Sequence, residues 1–332
     1  MSRDEAARLY DSFDALVEDV LIRGLLDHLP PPLLGASDAC RGCDAGVTRV
    51  ARVWREPGGV QHFAEWTVAT MLESAMEHAF ERGSNEGMTA TDTQKNTVYH
   101  VAQKMPSRCA PESFGLALAR HFLELYPLIS RAKVTVQQQP FVRHTDGPSG
   151  QPHDHGFLRA GTEVRTAHVA VGRADGDVQV TSGVEGLVVL KTTQSGYEGF
   201  IHDSFTSLPD TRERLFATSV TAKWRYDATP GCWNGAFGRA REAILRGFFG
   251  PPKGGVYSPS VQKTLFEMGQ LAIESSKDGL CEIKFEMPNI HFIPCSPLNS
   301  KFNDDVYFAT SEPHGQIEAS VTRADVRARA RL

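Results

Sequence analysis

Asn289 and His291 follow Pro288 two residues apart, so on an extended segment both side chains project from one face. An amide beside an imidazole can hydrogen-bond a polar ligand and pass a proton, and histidine suits proton relay near neutral pH; a structural pair is the plainer reading. Arg214 closes the run Arg212-Glu213-Arg214. That run is either a solvated charge cluster or the source of a planar fork of donors for a flat anion, a geometry lysine does not offer. Val261 and Gln262 follow Pro259-Ser260 where a helical pattern opens, as a core valine and an exposed amide or as a ligand-facing helix start. Tyr197, between Gly196 and Glu198, is a core or hairpin aromatic or a stacking surface. Thr91-Asp92-Thr93-Gln94 has the spacing of a capping box, which predicts a helix capped by Thr91. A helix start also offers free N–H groups and the positive end of a dipole to an anion.

These residues need elements to hold them, and the expected elements occur in an order that repeats. Residues 47–55 and 60–72 read as a strand pair joined by Pro57-Gly58-Gly59. Two helices are expected over 92–105 and 112–126, the second with Phe114, Leu118, Phe122 and Leu125 on one face. Ala132, Val134 and Val136 alternate with polar residues as a strand. The order then recurs: strands over about 163–171, 177–191 and 215–226, helices over 234–249 and 261–274, and strands around 281–287 and 317–321. This predicts an α+β fold made of a duplicated unit. Ahead of it, Leu9, Phe13, Leu16, Val20 and Leu25 predict a helix over 4–29, ended by Pro30-Pro31-Pro32 and followed by a linker to about Gly46.

Composition narrows the function classes. The 332 residues are 41% hydrophobic and 23% charged, with a formal net charge of −5. That balance argues against nucleic acid or an anionic membrane as partner, since both call for a basic surface. No apolar run approaches the roughly 20 residues of a membrane span. Six cysteines in a chain this long do not read as a secreted disulfide framework. Cys40-x-x-Cys43 has no partner pair at zinc-finger spacing, and His153-Asp154-His155 reads as a structural polar turn, so no metal site is expected.

Four segments together resemble the urate oxidase (uricase) family. They are Ala90-Thr91-Asp92-Thr93-Gln94-Lys95-Asn96-Thr97-Val98-Tyr99; Val189-Leu190-Lys191-Thr192-Thr193-Gln194-Ser195-Gly196-Tyr197-Glu198-Gly199-Phe200, running on to Arg214; Ser260 to Met268; and Met287-Pro288-Asn289-Ile290-His291-Phe292. They stand in the family's order over roughly residues 47–323. The resemblance implies two tandem T-fold domains, 47–162 and 163–325, after an N-terminal helical extension and linker (1–46) and before a tail (326–332). It also implies a homotetramer with active sites between subunits and no metal or organic cofactor. The implied reaction is oxidation of urate by dioxygen to 5-hydroxyisourate and hydrogen peroxide, a step of purine catabolism.

Residue by residue, the resemblance implies that Tyr197 stacks under the purine where the family usually has Phe. Arg214 grips one edge of the ring, and the Val261 backbone and Gln262 amide grip the other. Asn289 contacts ligand and dioxygen, Thr91 and Asp92 reach in from a neighbouring subunit, and Thr91 and His291 carry protons. The family also has a lysine base that aligns at or near Ala45, and no lysine precedes Lys95 here. Arginine is a poor substitute because it keeps its proton. The alternative expectation is therefore a relative that binds purines without turning them over. The closing Ala330-Arg331-Leu332 resembles the small-basic-Leu address read by the peroxisomal import receptor, which implies a peroxisomal location.

Overall fold

Strand alternation decides which side of each strand is buried. Along β2 (Gln61–Ala75) every second residue from Ala64 to Ser74 is buried, Trp66 and Val68 completely. β3 (Ile129–Gln138) does the same with Ala132, Val134 and Val136. The intervening side chains, on the other face, carry ion pairs such as Lys133–Glu73 and Lys223–Glu185. A sheet with one apolar and one charged face needs helices on the first only.

The computed structural model describes residues 41–173, 178–299, 301, 303, 305–310, 312 and 314–329, with the backbone alone for 41–45. The expected N-terminal helix, Cys40 of the Cys-x-x-Cys pair and the tail Ala330-Arg331-Leu332 lie outside them. Residues 75–88 belong to a separate compact unit, where helix α1 (Glu77–Arg82) ends at Gly83 in the left-handed conformation. The other unit comprises residues 43–74 and 89–329.

Its main sheet is antiparallel, in the order β1-β2-β3-β6-β7-β8-β9. β1 is Arg41–Arg55, β6 Val164–Gly172, β7 Val178–Lys191, β8 Phe216–Tyr226 and β9 Leu280–Pro294. The long β9 pairs along Glu282–Pro288 with β11 (Gln316–Thr322) and along His291–Pro294 with β10 (Tyr307–Thr310). Helices α2 (Thr91–Lys104) and α3 (Pro111–Leu125) follow β2; α4 (Trp233–Phe249) and α5 (Val261–Glu274) follow β8. A last helix, α6, is Arg323–Arg329. Two strands, two helices, two strands thus occur twice. β6 is bonded to β3 on one side and to β7 on the other, so the sheet runs unbroken through the junction of the halves. That count takes β6 into the first half, whose core holds its Val169 and Val171, whereas the expected division after residue 162 assigns it to the second.

Each half has its own core. Trp66 stacks on Phe114 (4.8 Å between rings) in the first, and Trp224 on Phe237 (5.7 Å) in the second. A buried ion pair ties them: Glu112 of α3, with no exposure, accepts from Arg165 of β6 (2.6 Å) and Ser182 of β7 (2.7 Å).

Two local expectations fail. The capping box does not form: Ala90 is the N-cap and Thr91 the first helical residue, with no side-chain cap bond. Gln94 is instead buried, accepting from Thr70 of β2 (2.7 Å), and tertiary packing has claimed the side chain the box needed. His153-Asp154-His155 is not a turn but part of strand β5 (Pro152–Arg159), which pairs with β4 (Phe141–Thr145) in a separate hairpin.

Candidate active site

Three segments with no regular structure converge at one end of β7. The chain leaving β7 runs through Ser195-Gly196-Tyr197, the chain entering β8 through Thr211 to Arg214, and the chain entering α5 through Ser258. Tyr197 and Thr211 exchange backbone bonds (2.7 and 3.0 Å). Gly196 N–H donates to the Ser258 carbonyl and Ser258 N–H to that of Gln194, both at 2.9 Å, making a parallel bridge between Ser195 and Ser258. Such close approach dictates the residue types. A Cβ at Gly196 would stand 2.1 Å from the Tyr257 hydroxyl oxygen and 2.8 Å from the Thr211 carbonyl oxygen. Gln194 adopts φ of 58°, a sparsely populated region for a residue with a side chain.

Arg214 is the electrostatic centre of this junction. Its backbone N–H donates to the Ser195 carbonyl (3.0 Å) and its Nε to Ser195 Oγ (3.3 Å), which orients the guanidinium. The guanidinium carbon lies 5.5 Å from the centre of the Tyr197 ring. Arg214 is half-buried and makes no ion pair among the described residues, whereas its neighbour Arg212 pairs with Glu198. Burial pulls the Arg214 guanidinium below its ordinary range, opposed by Tyr197 and Tyr257. A cation with its outer N–H groups left free and partly out of water is an anion site in physical terms. Tyr197 is stacked on Phe200 (4.7 Å, 11° between planes), and Phe200 on His202 (4.4 Å).

α5 supplies the opposite wall. Ser260 caps it, accepting from Lys263 N–H (3.1 Å). The N–H groups of Val261 and Gln262 have no acceptor within the chain among the described residues, as expected of the first helical positions. Val261 is buried in the core and Gln262 is exposed. Asn289 lies in β9 opposite Thr218 of β8, four residues beyond Arg214, and His291 follows on the same face; both are half-buried.

The structure thus brings Tyr197, Arg214 and the start of α5 to one junction, and sets Asn289 and His291 on an adjoining strand. It does not bring Thr91 or Asp92 there. These open α2 in the first half, both exposed, and no hydrogen bond, ion pair or ring contact joins them to that cluster among the described residues. The Ala45 position is on β1 beside the same helix start. A Cβ on its neighbour Gly46 would stand 3.5 Å from Gln94 Oε1, in the first turn of α2. Sequence reasoning missed Lys191, Ser195, Ser258 and Phe200. All four stand in or next to the recognised segments, but nothing in their types announces that they touch.

The sequence model of the uricase family matches residues 44–170 and 180–318. The chain belongs to the uricase family. Uricase-2 isozyme 1 of Glycine max is 43% identical over 288 residues, covering 83% of this chain and 92% of that protein. The uricase of Arabidopsis thaliana is 42% identical over 290 residues, with the same coverage. Among solved structures, the uricase from Arthrobacter globiformis is similar with a TM-score of 0.75 and 31% identity, over 86% of this chain and 96% of that one. The duplicated unit is therefore the tandem T-fold of the uricases. The matched spans contain all four motifs and every candidate residue from Thr91 to His291.

Proposed function

We propose that this uricase-family chain oxidises urate with dioxygen and water to 5-hydroxyisourate and hydrogen peroxide, without a metal or organic cofactor. The observation that carries the reading is Arg214: a half-buried guanidinium with no carboxylate partner among the described residues, held by Ser195 over Tyr197 and tied through Ser258 to the start of α5. A planar anion entering there extends the aromatic stack. It takes the fork of Arg214 on one edge, and the Val261 N–H and Gln262 amide on the other. The positive end of α5 and the guanidinium stabilise the further negative charge that develops as urate loses a second proton. Asn289 and Thr91 shape the dioxygen position, and Thr91 and His291 pass protons. Thr91 and Asp92 come from a neighbouring copy in a homotetramer, since within one chain they stand on the other half. The tail Ala330-Arg331-Leu332 directs the protein to the peroxisome. The test is loss of urate absorbance with stoichiometric peroxide by the purified protein; neither occurring rejects the reading.

A second reading rests on Ala45. Without a lysine beside Thr91, the first proton transfer lacks its base, a loss that typically costs about 10²–10⁴-fold. On that reading the chain binds urate and turns it over at most slowly. Ala45→Lys separates the two. A rise in kcat of about 100-fold or more identifies the missing base as the whole defect. Urate binding by calorimetry, with no turnover in either protein, identifies a purine-binding relative.

A further inference from the structure

Lys191 is the last residue of β7, and strand alternation turns it inward with Leu187 and Val189. It is 8% exposed, with its ammonium 5.4 Å from the Phe248 ring and 5.9 Å from that of Phe216. A lysine in such surroundings normally finds a carboxylate. This one makes no ion pair among the described residues: the acid that influences it, Glu267 of α5, is bonded to Lys263. Instead Nζ donates to the Val256 carbonyl (2.8 Å) and to Ser258 Oγ (2.6 Å). Thr264 Oγ1 donates into the same network, shared between Ser258 Oγ (2.7 Å) and the Ser260 carbonyl (3.0 Å). Ser258 and Thr264 are each 1% exposed. This hydrogen-bonded network ends in the first turn of α5, the turn that presents Val261 and Gln262. Through its backbone, Ser258 also holds Gln194 and Gly196, and thereby Ser195, Tyr197 and Arg214.

We propose that Lys191 is a positioning residue of the candidate site, which fixes through Ser258 and Thr264 the gap between the Tyr197–Arg214 wall and the Val261–Gln262 wall and adds a second partly buried positive charge to the anion held between them. The positioning part stands on the ligand-free geometry; the charge part rests on the anion reading given under Proposed function. Burial pulls the Lys191 ammonium down to about 8, opposed by Glu267, so its charge is lost in an accessible pH range. The other titratable or charged groups facing this junction are Arg214, Tyr197 and Tyr257 from the three converging segments, and Lys263 and Glu267 from α5.

The test uses the full-length protein and the variants Lys191→Met, Lys191→Gln and Ser258→Ala. Hydrogen exchange without ligand reads the positioning part: the amides of 194–197 and 256–262 exchange about tenfold faster or more in Lys191→Met and Ser258→Ala, and Lys191→Gln, which keeps a donor, restores much of the protection. Unchanged exchange in both Lys191→Met and Ser258→Ala overturns the positioning role; Ser258→Ala keeps the test alive if Lys191→Met does not fold. Anaerobic calorimetry with urate reads the charge part. Wild-type affinity falls between about pH 7 and about pH 9 as Lys191 gives up its proton, while Lys191→Met and Lys191→Gln bind about tenfold more weakly at about pH 7 with no such fall. Wild-type affinity in Lys191→Gln overturns the charge part. No urate binding by the wild type removes the anion reading and the charge part with it, and the exchange data still decide the positioning role.

Discussion

Arg214 and His168 are both taken partly out of water, and they settle the cost in opposite ways. A guanidinium cannot shed its proton, so Arg214 stays charged and its unmet electrostatic demand is available to an anion. An imidazole can, and burial pushes His168 of β6 down to about 4, with Lys223 acting the same way. Its Nδ1 faces Thr135 Oγ1 at 3.1 Å, and its Nε2 is buried without a partner among the described residues. The folded protein therefore binds this proton less readily than the unfolded chain does. Stability contributed by neutral His168 is present above the ordinary histidine value and is lost as pH falls towards about 4, by up to about 3 kcal/mol. Urea unfolding of wild type and His168→Gln at about pH 7 and about pH 4.5 measures the difference in their acid sensitivity. Equal sensitivity shows that His168 is not the source. At this scale the sequence marked Arg214, Tyr197, Val261, Gln262, Asn289 and His291 through motifs. It was silent on His168 and Lys191, whose surroundings come from strands and loops distant in the chain.

Helices and strands set the spacing of the candidate site, and α4 and α5 approach each other closely at a glycine. Gly247 of α4 lies against the backbone of α5: a Cβ there would stand 2.7 Å from Met268 Cα and 3.1 Å from Met268 N. Backbone cannot rotate aside as a side chain can. Gly247→Ala therefore forces the helices apart, despite alanine's better helix propensity, and costs about 1–3 kcal/mol. A lower midpoint in thermal or urea unfolding checks this, and an unchanged or higher midpoint contradicts it. Both helix pairs and the strands that pack on them were legible from periodicity, because each presents one apolar face to the core. The β4–β5 hairpin was not. The residues of its strands are all exposed or half-buried, so no apolar alternation marks it. The expected capping box failed for a related reason: Thr91 and Gln94 have the right spacing, but the Thr70 hydroxyl of β2 competes for the glutamine. The helix began there all the same.

For the molecule as a whole, the two halves carry different residues of the proposed site. Thr91 and Asp92 stand at the start of α2 in the first half, with the Ala45 position on β1 beside them; Tyr197, Arg214, Gln262, Asn289 and His291 belong to the second. If copies combine so that the first half of one completes the second half of another, two defective chains can repair each other. In the background that turns over urate, wild type or Ala45→Lys, Thr91→Ala and Arg214→Gln each abolish most activity alone. Doubly tagged mixed oligomers of the two recover about a quarter of it, the fraction of sites that draw both halves intact. No recovery on mixing places the whole site within one chain.

The sequence by itself determined the duplicated order of elements, the inward faces of the strands and helices, and the segments that carry chemistry. These are local properties: side-chain period follows from backbone geometry, and motif residues are neighbours in the chain. Only the tertiary structure decided that Ser195 and Ser258 are bridged, and that Arg214 and Lys191 sit there without carboxylate partners among the described residues. Those facts depend on which loops meet at the end of β7, and on what burial does to a charge once they meet. No spacing along the chain encodes either.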